Sequence, residues 1–197
     1  MPTMDKIRLD EEHRYWREVG GGEVRVPGFT EICKASGFPD NPHWTEEGKA
    51  EGIALHKWLL FLAQGGDFDS VYPPHESIAE RVEGIRKFLK DHDFEFVGGE
   101  TKLYHAGLGF CCTPDLHGFL DGTAAVVEMK GGARMKRHRL QTAAQALALA
   151  ENGFNASRRI GLYLKDGDYT PEEHDDDEDF ECWKAIVAGY FAVEAYK

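Results

Sequence analysis

A carboxylate and an ammonium stand two residues apart at the end of an apolar run: Ala124-Ala125-Val126-Val127 leads into Glu128-Met129-Lys130. Charges at the rim of a buried strand are costly to desolvate unless something there binds them. Side chains alternate along a strand, so Val126, Glu128 and Lys130 share one face while Val127 and Met129 point to the other. Asp121-Gly122 is a two-residue hairpin signal that folds the preceding strand back beside this one. Counted back from that turn, Asp115 of Thr113-Pro114-Asp115 lies near Glu128, within a residue or two of register. Pro114 fits a strand edge or a bulge, where a side chain is often aimed at a site.

Two carboxylates converging with a lysine have the chemistry of a divalent-metal site, and oxygen ligands of this kind suit Mg²⁺ or Mn²⁺. Such a cation would polarise a phosphate and acidify a water. The lysine would orient that water or steady the charge developing on the phosphoryl oxygens. The competing reading is a surface salt bridge between Glu128 and Lys130, with Asp115 a turn residue; a Glu-x-Lys triplet alone favours it. The Pro-Asp pair, whose Asp115 stands thirteen positions before Glu128 with a hairpin between, shifts the balance toward a site.

In this arrangement the chain resembles the PD-(D/E)XK nuclease superfamily, in particular its RecB-type, phage lambda-exonuclease-like branch. Thr113-Pro114-Asp115 and Glu128-Met129-Lys130 match the motif that names the superfamily. Gly52-Ile53-Ala54-Leu55-His56 resembles the branch's upstream GxxxH helix motif, and Glu100 stands in the strand before the PD motif, where a further acidic residue is common. Gln141 falls in the helix after the ExK strand, where the branch carries QxxxY; here the pattern reads QxxxQ, with Gln145 in place of the aromatic. The opening Val26-Pro27-Gly28-Phe29-Thr30-Glu31-Ile32 is similar to the start of small phage members.

The resemblance implies a restriction-endonuclease-like α/β core and a metal-dependent deoxyribonuclease, first of all an exonuclease of phage or recombination type. A structure-specific or nicking endonuclease is the alternative within the class, and an inactive DNA- or protein-binding module the alternative outside it. Asp115 and Glu128 would ligate Mg²⁺ or Mn²⁺ by side chain and Met129 by its backbone carbonyl. His56 would be a ligand or outer partner, and Glu100 would serve a second metal or act as a base. Lys130 would position the water, and Gln141 would hold Lys130 or a phosphate. Linear DNA or single-stranded ends are the implied partner, with room for a single-strand annealing or binding protein and for a homo-oligomer. Some relatives carry an iron–sulfur cluster, but Cys33, Cys111, Cys112 and Cys182 lack the tight spacing it needs, so no cluster is expected.

Several of these residues have a plainer reading. His56 sits beside Leu55 and Trp58 and could simply be packed. Glu100 follows Gly98-Gly99 and could be a solvated turn residue. Gln141 and Gln145, one helical turn apart among alanines, read as a polar stripe, a reading favoured for Gln145. Arg134, Lys136, Arg137 and Arg139 follow the Gly131-Gly132 bend into the next helix, where phosphates are favoured; contact with a DNA backbone is expected, against a solvated basic face. Trp16, Trp44 and Trp58 could stack on unpaired bases, though packing is the expected fate of each.

The elements that must position these residues follow from periodicity and punctuation. The first ten or so residues read as a loose arm and Val24–Phe29 as a short extended piece. Thr30 caps a helix over Glu31–Ser36 that Gly37 and Pro39 stop; Thr45 caps another running to about Ala63, with Ile53, Leu55, Trp58, Leu59 and Leu62 inward. Ser77 caps a third, to about Asp91. Strands are expected at Phe94–Val97 with Thr101–His105, at Phe110–Leu120, at Ala124–Lys130 and at Arg159–Lys165. Helices are expected at about Met135–Asn152, closed by Gly153, and at Phe180–Tyr196. This is one α/β domain over 1–197: a central mixed sheet flanked by helices, with a mainly helical N-terminal part (1–93), a catalytic sheet and helix (94–166), and an acidic loop and C-terminal helix (167–197).

Composition sets the outer bounds. The chain has 197 residues, twelve Phe and a formal net charge of −12, a globular rather than disordered profile. No apolar run reaches membrane-spanning length and no signal core opens the chain, so a cytoplasmic location in a bacterial or phage-infected cell is expected, with no membrane partner. The acidic total argues weakly against nucleic acid, but the charge is uneven: acid concentrates in Glu172–Asp179, read as a solvated cap on the last helix, and base in Arg134–Arg139.

Overall fold

A computed structural model describes residues 6–38, 45–67 and 73–197. In chain order the elements are β1 (Ile7–Leu9), β2 (Tyr15–Val19), β3 (Gly22–Val26), α1 (Phe29–Ala35), α2 (Glu46–Ala63), α3 (Glu76–Asp91) and β4 (Phe94–Gly99). There follow β5 (Leu103–His105), β6 (Phe110–Cys112), β7 (Leu116–Leu120), β8 (Thr123–Lys130), α4 (Lys136–Glu151), β9 (Arg158–Lys165), β10 (Asp168–Glu173) and α5 (Glu178–Glu194).

A five-stranded sheet ordered β10-β9-β8-β7-β4 forms the centre. It is mixed: β8 and β9 run parallel, and the other three pairings are antiparallel. The parallel pair is joined through α4, the long crossover such pairs require. The β7–β8 hairpin turns on Asp121 and Gly122, both at positive φ (52° and 76°), which is why a Gly is needed there.

Alternation along β8 splits the core as the sequence predicts. Val127 and Met129 pack with Leu55, Leu59, Val82 and Phe88 of α2 and α3 on one face. Val126 packs on the other face with Leu140, Ala144 and Leu149 of α4 and Trp183 of α5. The expected α/β architecture, a central mixed sheet flanked by helices, is what the chain adopts.

Several expectations are corrected. The segment read as a loose arm and a short extended piece contains a three-stranded antiparallel sheet, β1-β2-β3. Phe110–Leu120 is two strands, not one: β6 pairs with β5 in a separate ribbon, and the chain breaks at Thr113-Pro114-Asp115 before β7 joins the central sheet. The loop expected after Lys165 contains an edge strand, β10, in which Pro171 is tolerated. Thr45 caps α2 by accepting from the Gly48 N–H at 3.0 Å. Thr30 does not cap α1, which starts after Gly28, and α3 is capped by His75 rather than Ser77. Ile53, expected inward, is 56% exposed. Pro39 and Trp44 lie outside the described residues. Among the described residues, no helix is long and apolar enough to cross a membrane.

Candidate metal centre

Asp115 immediately precedes β7, whose first residue Leu116 pairs with Val127. That register sets Asp115 beside the Glu128–Met129 step of β8. Its Oδ2 accepts a hydrogen bond of 2.7 Å from the Met129 N–H, and the residue is 5% exposed. Met129 thus meets the site through its amide N–H, while its side chain fills the core.

Glu128 emerges on the α4 side of the sheet, where it is buried. Its Oε1 accepts from Lys130 Nζ at 2.6 Å and from Gln141 Nε2 at 2.6 Å; its Oε2 accepts from Gln145 Nε2 at 2.7 Å. Gln141 Oε1 in turn accepts from Lys130 Nζ at 3.0 Å, closing a ring of three side chains. Gln141 and Gln145 reach Glu128 together because they stand one turn apart on α4. The plain reading of Gln145 as a polar stripe is corrected: it is buried and bonded to Glu128. Its signal in the sequence was the four-residue spacing from Gln141 on the helix that follows the strand.

His56 and Glu100 approach Asp115 from elsewhere. His56 Nδ1 lies 3.4 Å from Asp115 Oδ1 and 3.4 Å from Glu100 Oε1. One ligand atom from each of His56, Glu100 and Asp115 falls within 4.8 Å of the other two. His56 is carried by α2, whose Leu55 and Leu59 are buried against the sheet. Glu100 is aimed by an irregularity: the β4–β7 register shifts between Phe96 and Gly98, a bulge that bends the strand. Glu100 then takes a left-handed conformation (φ 52°), and its N–H donates to the carbonyls of Pro114 (2.9 Å) and Asp115 (3.3 Å). Gly99 makes this approach possible, because a Cβ there would stand 2.6 Å from the Asp115 carbonyl oxygen.

The electrostatics fit a cation. Burial, and then the nearby Glu128 carboxylate, push Asp115 up from the usual carboxylate range, against His56, Lys130 and the Met129 N–H. Burial disfavours the charged His56 ring, but Asp115, Glu100 and Glu128 outweigh it and raise its pKa to about 9. Without a metal, the imidazolium supplies the positive charge that these carboxylates need. Two carboxylates and one imidazole, with Glu128 close by, form a donor set that Mg²⁺ or Mn²⁺ would accept.

Two arginines of the basic run are ion-paired within the fold. Arg139 is ion-paired with Asp179 (3.3 Å) and Asp176 (3.6 Å), beside the buried Arg159, which lies 3.1 Å from Asp179. Arg134 lies 3.3 Å from Glu172 and 5.3 Å from the centre of the Tyr163 ring. Lys136 is exposed and Arg137 half-buried. The acidic stretch is a solvated cap only in part: Asp175, Asp177 and Glu178 are exposed at the start of α5, whereas Glu172, Asp176 and Asp179 neutralise arginines, Glu173 bonds Arg158, and His174 is buried against Thr142 Oγ1 at 2.9 Å. Trp16 donates to Asp10, and Trp58 packs edge-on to Phe61.

One further contact was not foreseen. The Tyr15 hydroxyl of β2 lies 2.8 Å from Thr113 Oγ1, which ties the N-terminal sheet to the segment that carries Asp115. A cleft of about 470 Å³ between α4, α5 and the 155–157 segment contains none of the residues of the centre.

No family model matches the chain, and no curated protein sequence matches it. Among solved structures, it is similar to a candidate exonuclease from Eubacterium rectale at 12% identity and a TM-score of 0.48, over 85% of this chain and 73% of that one. It is also similar to LHK-Exo, crystallised in complex with dAMP, at 14% identity and a TM-score of 0.43, over 87% of this chain and 89% of that one.

Proposed function

We propose that the chain is a divalent-metal-dependent deoxyribonuclease that hydrolyses phosphodiester bonds, acting first of all as an exonuclease on DNA ends. One observation carries the reading: a buried carboxylate, Asp115, has His56 and Glu100 on one side and is joined through Met129 to the strand of Glu128 and Lys130. Structural ion pairs do not need three carboxylates and an imidazole at one partly buried place, whereas a cation does.

In this reading Asp115, Glu128, His56 and Glu100 hold Mg²⁺ or Mn²⁺, with the Met129 carbonyl as a further oxygen. The bound cation supplies Lewis acidity at the phosphate and a more acidic water. Lys130 Nζ, held between Glu128 and Gln141, donates to the attacking water and to the charge that builds on the phosphate. Arg134, Lys136 and Arg137, near the start of α4, track the DNA backbone; Arg139 serves the fold instead.

The test uses end-labelled linear DNA. Degradation with Mg²⁺ or Mn²⁺, and arrest by EDTA, is the expected result. Lys130→Ala and Glu128→Ala should each lose activity with unchanged circular dichroism. Full activity of both variants overturns the reading. A covalently closed circle separates the two modes: resistance supports an exonuclease, and cutting supports the endonuclease alternative.

A further inference from the structure

Glu128 is held unevenly. Oε1 accepts from both Lys130 and Gln141, so both of its lone-pair directions are engaged; Oε2 accepts from Gln145 alone among the described residues. The chemistry of the partners fixes the amide orientations. A carboxylate only accepts, so both glutamines turn an NH₂ to it; an ammonium only donates, so Gln141 turns its oxygen to Lys130. Gln141 therefore uses both ends. Gln145 uses one: it is 1% exposed, and its Oε1 has no partner among the described residues.

A buried amide with half of its capacity unmet is a poor way to fill a core that alanines fill around it, since Ala143, Ala144, Ala146 and Ala148 are all buried on the same helix. Its one bond among the described residues is to Glu128, the carboxylate on the strand beside Asp115.

We infer that Gln145 is a positioning residue: it fixes the Glu128 carboxylate so that Oε2, which keeps a lone pair open, is the atom presented to a divalent cation. This rests on the metal-dependent reading above. The second glutamine does for Oε2 what Lys130 and Gln141 do for Oε1, but leaves room for one more partner. Loss of the contact leaves Oε2 unheld while Lys130 and Gln141 still hold Oε1, and it weakens cation binding, with no direct effect on how DNA is held.

The experiment compares wild type with Gln145→Met, which keeps side-chain length and loses the donor, and Gln145→Asn, which keeps the amide but retracts it. Calorimetry with Mn²⁺ alone should show at least about a tenfold loss of affinity in both variants. On linear DNA, kcat at fixed Mn²⁺ should fall by a similar factor while KM for DNA stays within about twofold. Thermal melts without metal should remain close to wild type. In ¹⁵N-labelled wild-type protein, the Gln145 side-chain amide signals should shift as Mg²⁺ is added; this readout needs no variant. Unmoved amide signals at saturating Mg²⁺, or variants that bind Mn²⁺ and turn over as wild type does, overturn the inference alone. A wild-type protein that binds no Mn²⁺ overturns the metal-dependent reading, and this inference with it.

Discussion

The Asp115 carboxylate accepts a hydrogen bond of 2.7 Å from the Met129 N–H, so the residue before β7 is fastened to the strand that carries Glu128. An asparagine could keep that bond through its own oxygen while losing the charge. Because burial and Glu128 push the Asp115 pKa up, the ionised form is a burden on the metal-free fold. Asp115→Asn should therefore raise the metal-free melting temperature, by about 1 kcal/mol of stability, while Mn²⁺ no longer raises it further. Calorimetric melts with and without Mn²⁺ check both parts; a lower melting point without metal contradicts the first.

In the absence of metal the histidines should give stability two opposed arms about pH 6.5, while Asp115, whose pKa is raised, takes stability away as pH climbs above its unfolded value of roughly 4 and so blunts the acid arm. His56 has its pKa raised to about 9, so its contribution is complete below its unfolded value of roughly 6.5 and is lost as pH rises toward 9. His138, held at about 4 by burial and then by Lys130 and Arg137, does the opposite: it stays neutral when folded, and stability falls as pH drops from about 6.5 toward 4. His174 and His117, also lowered by burial, reinforce the acid arm. Melting temperatures across this range would show the two arms, and Mn²⁺ should flatten the alkaline one, because a ligating imidazole is already neutral.

Gly99→Ala should damage the centre without touching a ligand. The new methyl group would meet the Asp115 carbonyl oxygen at 2.6 Å and Leu60 Cδ1 at 2.8 Å, so backbone must shift. A loss of about 1–3 kcal/mol is expected from overpacking, together with a fall in activity. Gly132→Ala, where a Cβ meets nothing within 4 Å, is the matched control and should change little in urea denaturation.

Asp179→Asn should destabilise the fold by about 3 kcal/mol, because Arg159 is 4% exposed and would be left without its main charge partner. Arg139→Ala should likewise lower the melting point more than it lowers DNA affinity at matched salt. A large loss of affinity with an unchanged melt would return Arg139 to the DNA-binding set.

What the sequence made legible was local. The Asp121-Gly122 turn, the alternation of Val126 to Lys130 and the Thr45 cap are each written within a few residues, and all three stand in the structure. What it hid was tertiary. The strands β1 to β3 are only three to five residues long, so the alternation of Ile7 and Leu9 with Arg8, and of Val24 and Val26 with Arg25, is too brief to announce a sheet, and the Arg8–Glu23 pair at 2.6 Å spans its two outer strands. Arg139 looked available for phosphate because its acidic partner lies forty residues on. Gln145 looked idle because its partner, Glu128, is on a strand and not on its own helix.

The two halves of the centre differ in how far along the chain their parts are drawn. Glu128, Lys130, Gln141 and Gln145 belong to one strand–helix unit, with no contact spanning more than seventeen residues. His56, Glu100 and Asp115 come from three separate stretches that only the closed sheet and α2 bring together. Short loops close before long ones. During folding, the carboxylate with its amide clamp can thus assemble early, and the side formed by His56, Glu100 and Asp115 is completed only when α2 docks.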